Sequence, residues 1–221
     1  MKTVLIGLMV MGLAGSALAV DRTQLDNEIR NLTGKFAAMQ QDANRSIPAD
    51  KLQKAKGIVL LDQTKGGFLF AYHNGSGVAL VKDANGQWSA PAFITSTGAS
   101  FGLQAGGQKD FYAILLTTTN ATDSLTAQTV NFGAAAGGTG AGASAGAQAN
   151  TVPASEMMVY SEKNGYFGGA AVKGGSISPD KDANSVYYGK SVSMNGILLD
   201  HQVQPTPTEQ SLINKLNQAM K

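Results

Sequence analysis

The chain has 221 residues, with 17 basic and 15 acidic side chains, a net charge of +2 and no cysteine. That near-neutral balance excludes a strongly electrostatic partner such as nucleic acid, and the missing thiols exclude disulfides and thiolate chemistry. A chain of this length can bury an ordinary core in one domain, and its 27 glycines, set among apolar residues, fit a packed glycine-rich sheet.

The first 19 residues read MKTVLIGLMVMGLAGSALA. Lys2 gives the positive start, Val4 to Leu13 the apolar run, and Ala17-Leu18-Ala19 the small residues of a cleavage site. This is the pattern of a secretory signal peptide. The apolar run is shorter than the roughly 20 residues that span a bilayer, and no cysteine is present for lipid attachment. The expectation is export and cleavage near Ala19, with the mature protein periplasmic or secreted.

Residues 20–46 form the next segment. Leu25, Ile29, Leu32, Phe36 and Met39 recur at helical spacing, with polar residues on the other face. That predicts an amphipathic helix over 21–40, packed on the domain. Ile47-Pro48 opens a second, short helix through Ala55, with Pro48 suited to a first turn. From Ile58 the period changes. Ile58–Leu61 is a continuous apolar run, as in a strand buried on both faces. Phe68, Phe70 and Tyr72 alternate on one face. Asn74-Gly75 marks a turn, Val78–Lys82 a strand, and Asn85-Gly86 a two-residue hairpin. Trp88–Ile94, Phe111–Leu116, Met157–Ser161 and Tyr166–Val172 read as further strands, the last two joined at Asn164-Gly165.

The low-complexity Gly/Ala tract over 133–149 fits either a loop or small-residue strands. Ser193 is placed to cap a helix running to Leu199. Residues 201–207 are a linker. Thr206-Pro207-Thr208-Glu209 is a capping box opening a C-terminal helix lined by Leu212, Ile213, Leu216 and Met220.

Catalytic-looking patterns each lack a needed part. Gly142-Ala143-Ser144-Ala145-Gly146 matches a nucleophile elbow but sits in the Gly/Ala tract, without the strand and helix that the elbow requires. Gly189-Lys190-Ser191 ends like a phosphate loop, but Asn184 stands where its first glycine belongs. Asp180, Asp182 and Asn184 have calcium-loop spacing, but Ser185 and Ser191 replace its Gly and Glu, so a polar turn is expected. His73 and His201 are isolated. No metal or cofactor is implied, and the chain reads as a binding protein rather than an enzyme.

A set of ordered blocks then carries a resemblance. They are Lys54-Ala55-Lys56-Gly57-Ile58, Lys65-Gly66-Gly67-Phe68, Gly77-Val78, Trp88-Ser89-Ala90-Pro91-Ala92-Phe93-Ile94 and Gly102-Leu103-Gln104-Ala105-Gly106 with Asp110. In the later half come Val159-Tyr160-Ser161, Gly165-Tyr166-Phe167-Gly168-Gly169, Ser178-Pro179-Asp180 and Tyr187-Tyr188-Gly189. From about Ile47 to Asp200 the chain resembles the SYLF family, also called the Ysc84-type actin-binding domain. The resemblance implies binding rather than catalysis. Eukaryotic members bind phosphoinositides, and fungal ones also bind actin. For the exported bacterial members, which this layout matches, lipid binding is the leading suggestion and actin an unlikely partner. The chain lacks an Arg that many relatives carry in the segment here reading Phe70-Ala71-Tyr72-His73-Asn74-Gly75-Ser76-Gly77, and Gly/Ala repeats replace a Pro-x-Gly-Arg element.

The expected fold is α+β: a glycine-rich, mainly antiparallel sheet with room to curl toward a barrel, flanked by N- and C-terminal helices. The domain spans 47–200, with a linker and helix over 201–221. Phospholipid or a membrane surface is the expected partner. The candidate contact residues are Lys51, Lys54, Lys56 and Lys65 for head groups and Phe68, Phe70, Tyr72, Trp88 and Phe93 for apolar area. The alternative is a cell-envelope scaffold or protein-interaction module that binds no lipid.

Overall fold

The computed structural model describes residues 21–66, 72–98, 109–127, 129–132, 151–163, 165–166 and 175–221. Within these residues one nine-stranded sheet organises the chain, in the order β6-β5-β9-β3-β2-β1-β4-β7-β8. The central strands are β1 (Gly57–Gly66), β2 (Tyr72–Val81), β3 (Ala92–Gly98) and β4 (Lys109–Leu116). Outside them lie β5 (Val130–Phe132), β6 (Thr151–Val152), β7 (Met157–Ser161), β8 (Gly165–Tyr166) and β9 (Gly175–Pro179). Every pairing is antiparallel except β5 with β6. The sheet is curled but open, part-way to a barrel, with β6 and β8 at its edges.

The β1 run explains the layers. Side chains alternate along a strand, so Ile58 and Leu60 face one side while Val59 and Leu61 face the other, and all four are fully buried. On the first side, Ile58, Leu60, Val78, Leu80, Phe93, Phe111, Ala113 and Leu115 form a core. It is covered by α1 (Arg22–Gln41), α2 (Ala49–Lys54), α4 (Lys181–Tyr188) and α6 (Pro207–Ala219). On the second side, Val59, Leu61, Ala79, Ile94, Ile114 and Leu116 meet α3 (Thr119–Ser124), α5 (Met194–Leu198) and Val203. Each fully buried aliphatic side chain contributes about 1.5–3 kcal/mol, so the doubly covered centre of the sheet dominates stability.

The helices form for local reasons visible in their ends. Asp21 and Gln24 make a reciprocal capping box at α1, whose Leu25, Ile29, Leu32, Phe36 and Met39 are all buried. Thr206 and Glu209 do the same for α6, with Pro207 at its first turn. Ser193 Oγ accepts the Gly196 N–H and starts α5. Gly189, at φ 65, ends α4 in the left-handed region that favours glycine.

Three local expectations are corrected. Asn74-Gly75 is no turn: β2 runs straight through it, pairing Asn74 with Thr64 and Gly75 with Gln63. Gly75 serves close packing instead, since a Cβ there would lie 2.8 Å from Gln63 Cγ. Trp88 joins the sheet through an isolated bridge to Lys82, and β3 begins only at Ala92. Ser89 Oγ accepts the Val81 N–H at 3.1 Å, replacing a ladder bond there. Asp180, Asp182 and Asn184 lie on a helix rather than in a polar turn. Asp180 caps α4, and the buried Asn184 side chain accepts the Phe93 N–H and donates to the Phe93 carbonyl. The Gly/Ala tract and Ser144 lie outside the described residues.

Candidate binding surfaces

The structure gathers three of the four predicted lysines at one corner. Lys51 and Lys54 lie on α2, where their Nζ atoms stand 3.2 and 3.9 Å from Asp50 Oδ2. Lys56 is exposed at the bend that enters β1. A fourth cation, Lys82, closes the corner from the end of β2. Its Nζ donates to the Leu52 and Gln53 carbonyls at 2.6 and 3.1 Å, at the carbonyl end of α2 where cations are favoured. It also stands 4.6 Å from the Trp88 ring centroid. Burial, then the charge of Lys56, lowers its pKa. Sequence reasoning missed Lys82, although its place at the end of an apolar strand beside an Asp-Ala-Asn-Gly turn marks it as a corner residue.

Lys65 falls elsewhere. Its backbone pairs with His73 near the far end of β1, about 25–30 Å from the corner at strand rise. The side chains of Lys65 and Tyr72, and all of Phe68 and Phe70, lie outside the described residues. Trp88 and Phe93 are 6% and 1% exposed and belong to the helix-covered core. Phe93 packs on Tyr187 with ring centroids 5.0 Å apart. In this conformation the contact surface at the corner is therefore polar.

Two clefts flank the segment between α5 and α6. The smaller, about 290 Å³, is bordered by Arg22, Tyr187, Lys190 and Thr206. Arg22 stacks over Tyr187 at 5.3 Å, and Lys190 Nζ donates to the Gln202 carbonyl. The larger, about 570 Å³, lies beside Trp88. Glu209, fully buried, anchors the end of the segment between them. Its Oε2 accepts the Thr206 N–H, and Tyr188 Oη lies 2.5 Å from both Glu209 Oε1 and the Pro91 carbonyl oxygen. Burial raises the Glu209 pKa, against the hydrogen bonds that it accepts from Tyr188 and Thr206.

Two half-buried carboxyl groups, Glu28 and Asp62, lie between α1 and the sheet. Glu28 Oε1 and Asp62 Oδ1 have no hydrogen-bond partner among the described residues. Burial raises the Glu28 pKa, with Asp180 and Asp62 adding to the rise against a hydrogen bond from Ser76. Asp62 Oδ2 is held by Lys35 at 2.6 Å and Asn31 at 3.2 Å. Among the described residues, no three His, Asp or Glu side chains are placed to hold a metal ion. None of the described helices is long and apolar enough to cross a membrane.

Comparison with known proteins supplies the family. The model of the Ysc84 family, described as Las17-binding protein actin regulator, matches residues 97–219. LAS seventeen-binding protein 3 of Saccharomyces cerevisiae is 32% identical over 179 residues, covering 79% of this chain and 39% of that protein. Protein YSC84 of the same organism is 32% identical, covering 79% of this chain and 38% of its own length. SH3 domain-containing YSC84-like protein 1 of Homo sapiens is 26% identical over 171 residues, covering 75% of this chain and 49% of that protein. The chain thus spans about two fifths of the Saccharomyces relatives it matches. No solved structure matches it. With more than half its length fitting that model, and the fitted stretch running from β3 through α6, the chain belongs to the Ysc84 family.

Proposed function

We propose that this chain is a non-enzymatic, exported binding protein whose lysine corner docks on anionic phospholipid. The observation that carries the reading is the gathering of Lys51, Lys54 and Lys56, backed by Lys82, at one corner of the sheet. Near an anionic membrane each such lysine contributes about 1 kcal/mol. The ion pairs with Asp50 are exposed and cheap to exchange for head groups. The signal-peptide pattern of residues 1–19 supports export. The test is flotation of the mature chain with vesicles of phosphatidylglycerol or of phosphatidylcholine. Co-flotation with the anionic vesicles alone, weakening as salt screens the charges, is expected. No flotation at low salt, or equal flotation with both, overturns the proposal.

A second reading is a protein-interaction module that binds no lipid. The names of the relatives favour it, since those proteins are called Las17-binding. Export would separate this chain from actin, so any protein partner would be a different one. A partner recovered by crosslinking in the native envelope, with no vesicle binding, would select this reading.

A further inference from the structure

We propose that the cleft beside Trp88 is a binding site for a neutral saccharide. The proposal does not rest on the phospholipid reading: it concerns other residues and a ligand of different chemistry. The cleft lies between the Asp83–Trp88 turn, the segment Val203–Pro205 and α6, and its volume of about 570 Å³ falls within the range of small-molecule sites.

Its floor is apolar, made by the buried Trp88, Val203 and Ile213. Its rim carries amides and one carboxylate: Gln87, Gln204, Gln210 and Asn217 with Asp83, and His201 beside them. Among the described residues, no lysine or arginine lines it. Each amide offers a donor and an acceptor side by side, the same pair that a sugar hydroxyl offers in return. The Gln87, Gln204 and Asn217 side chains are exposed, with no hydrogen bond to another described residue. Asp83 is fixed in place: its Oδ1 accepts the Asn85 and Gln87 N–H groups, both at 2.8 Å. The Gln87 bond above all holds the Asp83 carboxyl below its usual range, with His201 adding to the effect, so the rim keeps its acceptor in neutral solution.

The Trp88 indole N–H is buried and has no acceptor among the described residues, a rare condition for a buried donor. His201, at the rim, adopts φ 51 in the turn that ends α5, which the Gln202 N–H closes on the Gly196 carbonyl. The chemistry of the rim also rejects other classes. A phosphate would face the Asp83 carboxylate with no lysine or arginine among the described lining residues, and an aliphatic ligand would strand the amides.

The chain has one tryptophan, so ¹⁵N-labelled mature protein gives a single indole N–H resonance, that of Trp88. We would titrate it with maltotriose and, separately, with chitotriose at millimolar concentration. A saturable shift with at least one trisaccharide is expected. Gln204→Ala/Asn217→Ala removes two exposed amides, so the amide spectrum should keep its pattern while the sugar binds about tenfold more weakly. No saturable shift with either sugar overturns the proposal, as does unchanged affinity in the double variant. A saturable shift with inorganic phosphate or spermidine in place of the sugars overturns the ligand class.

Discussion

From Gly57 to Leu61, β1 is walled by apolar side chains on both faces; at Asp62 and Gln63 the same strand turns polar. In the first half Ile58 and Leu60 meet Leu80, Val78, Leu115 and Ala113, while Val59 and Leu61 meet Ala79, Ile114 and Tyr112. In the second half Asp62 lies between Ser76 and Phe111, and Gln63 between Gly75 and Asp110. Three carboxyl or amide oxygens there, on Glu28, Asp62 and Gln63, have no partner among the described residues. Buried polar atoms without partners cost about 1–3 kcal/mol each. The difference teaches that the apolar half holds the fold together. It is also the half that presents the lysine corner, so the proposed docking surface stands on the part of the sheet buried on both faces.

Substitutions in the two halves should therefore have very different effects, all readable by guanidinium denaturation followed through Trp88 emission. Leu60→Ala should cost about 3–4 kcal/mol, since it opens a cavity in the doubly covered centre. A loss below about 1 kcal/mol would show that this half is not the one that dominates. Gly77→Ala comes next. A Cβ there would lie 2.0 Å from the Leu60 carbonyl oxygen, so β1 and β2 must separate. About 2–3 kcal/mol of destabilisation is expected, and an unchanged midpoint would contradict the close strand approach.

In the polar half the sign reverses. Glu28→Gln should stabilise the protein at neutral pH by on the order of 1 kcal/mol. Because burial raises the folded-state pKa of Glu28, its carboxyl favours the fold most when protonated, below the ordinary glutamate range. That contribution is lost as pH rises through the raised value. The advantage of Gln should accordingly vanish near pH 4 and grow toward pH 7; a pH-independent difference would contradict burial as the cause. The smallest effect is expected for Gln63→Leu, a gain of about 0.5–1 kcal/mol from removing an orphaned acceptor at the expense of its bond to Ser96. A loss larger than the gain expected here would mean that Gln63 meets a partner in solution.

Much of the apolar half was legible in the sequence. The unbroken run Ile58–Leu61 signals burial on two faces, and the capping residues Ser193, Thr206 and Glu209 mark where α5 and α6 begin. The polar half was less legible because its signals have two meanings. Asn-Gly favours a turn, yet Gly75 is there because β2 must lie against the Gln63 side chain. Asp180 and Asn184 are spaced like turn or metal ligands, yet one caps a helix and the other clamps the Phe93 backbone. Alternating aromatics show that a strand has a wet and a dry face or two dry ones, but not which; Phe93 lies against α4. Among the candidate site residues, periodicity found the lysines but could not sort them. Lys65 parts from the others only because β1 is ten residues long, a length hidden by the Gly66-Gly67 pair that ends it.

The measurement that bears most directly on the corner is vesicle affinity, compared between Lys51→Gln/Lys54→Gln/Lys56→Gln and Lys65→Gln on phosphatidylglycerol vesicles at low salt. The triple change should weaken binding at least a hundredfold, with three lysines lost at about 1 kcal/mol each. The single change at the far end of β1 should leave it within about twofold. Equal binding by the triple variant and the unaltered chain, or a large loss from Lys65→Gln alone, would contradict a docking surface at the α2–β1 corner.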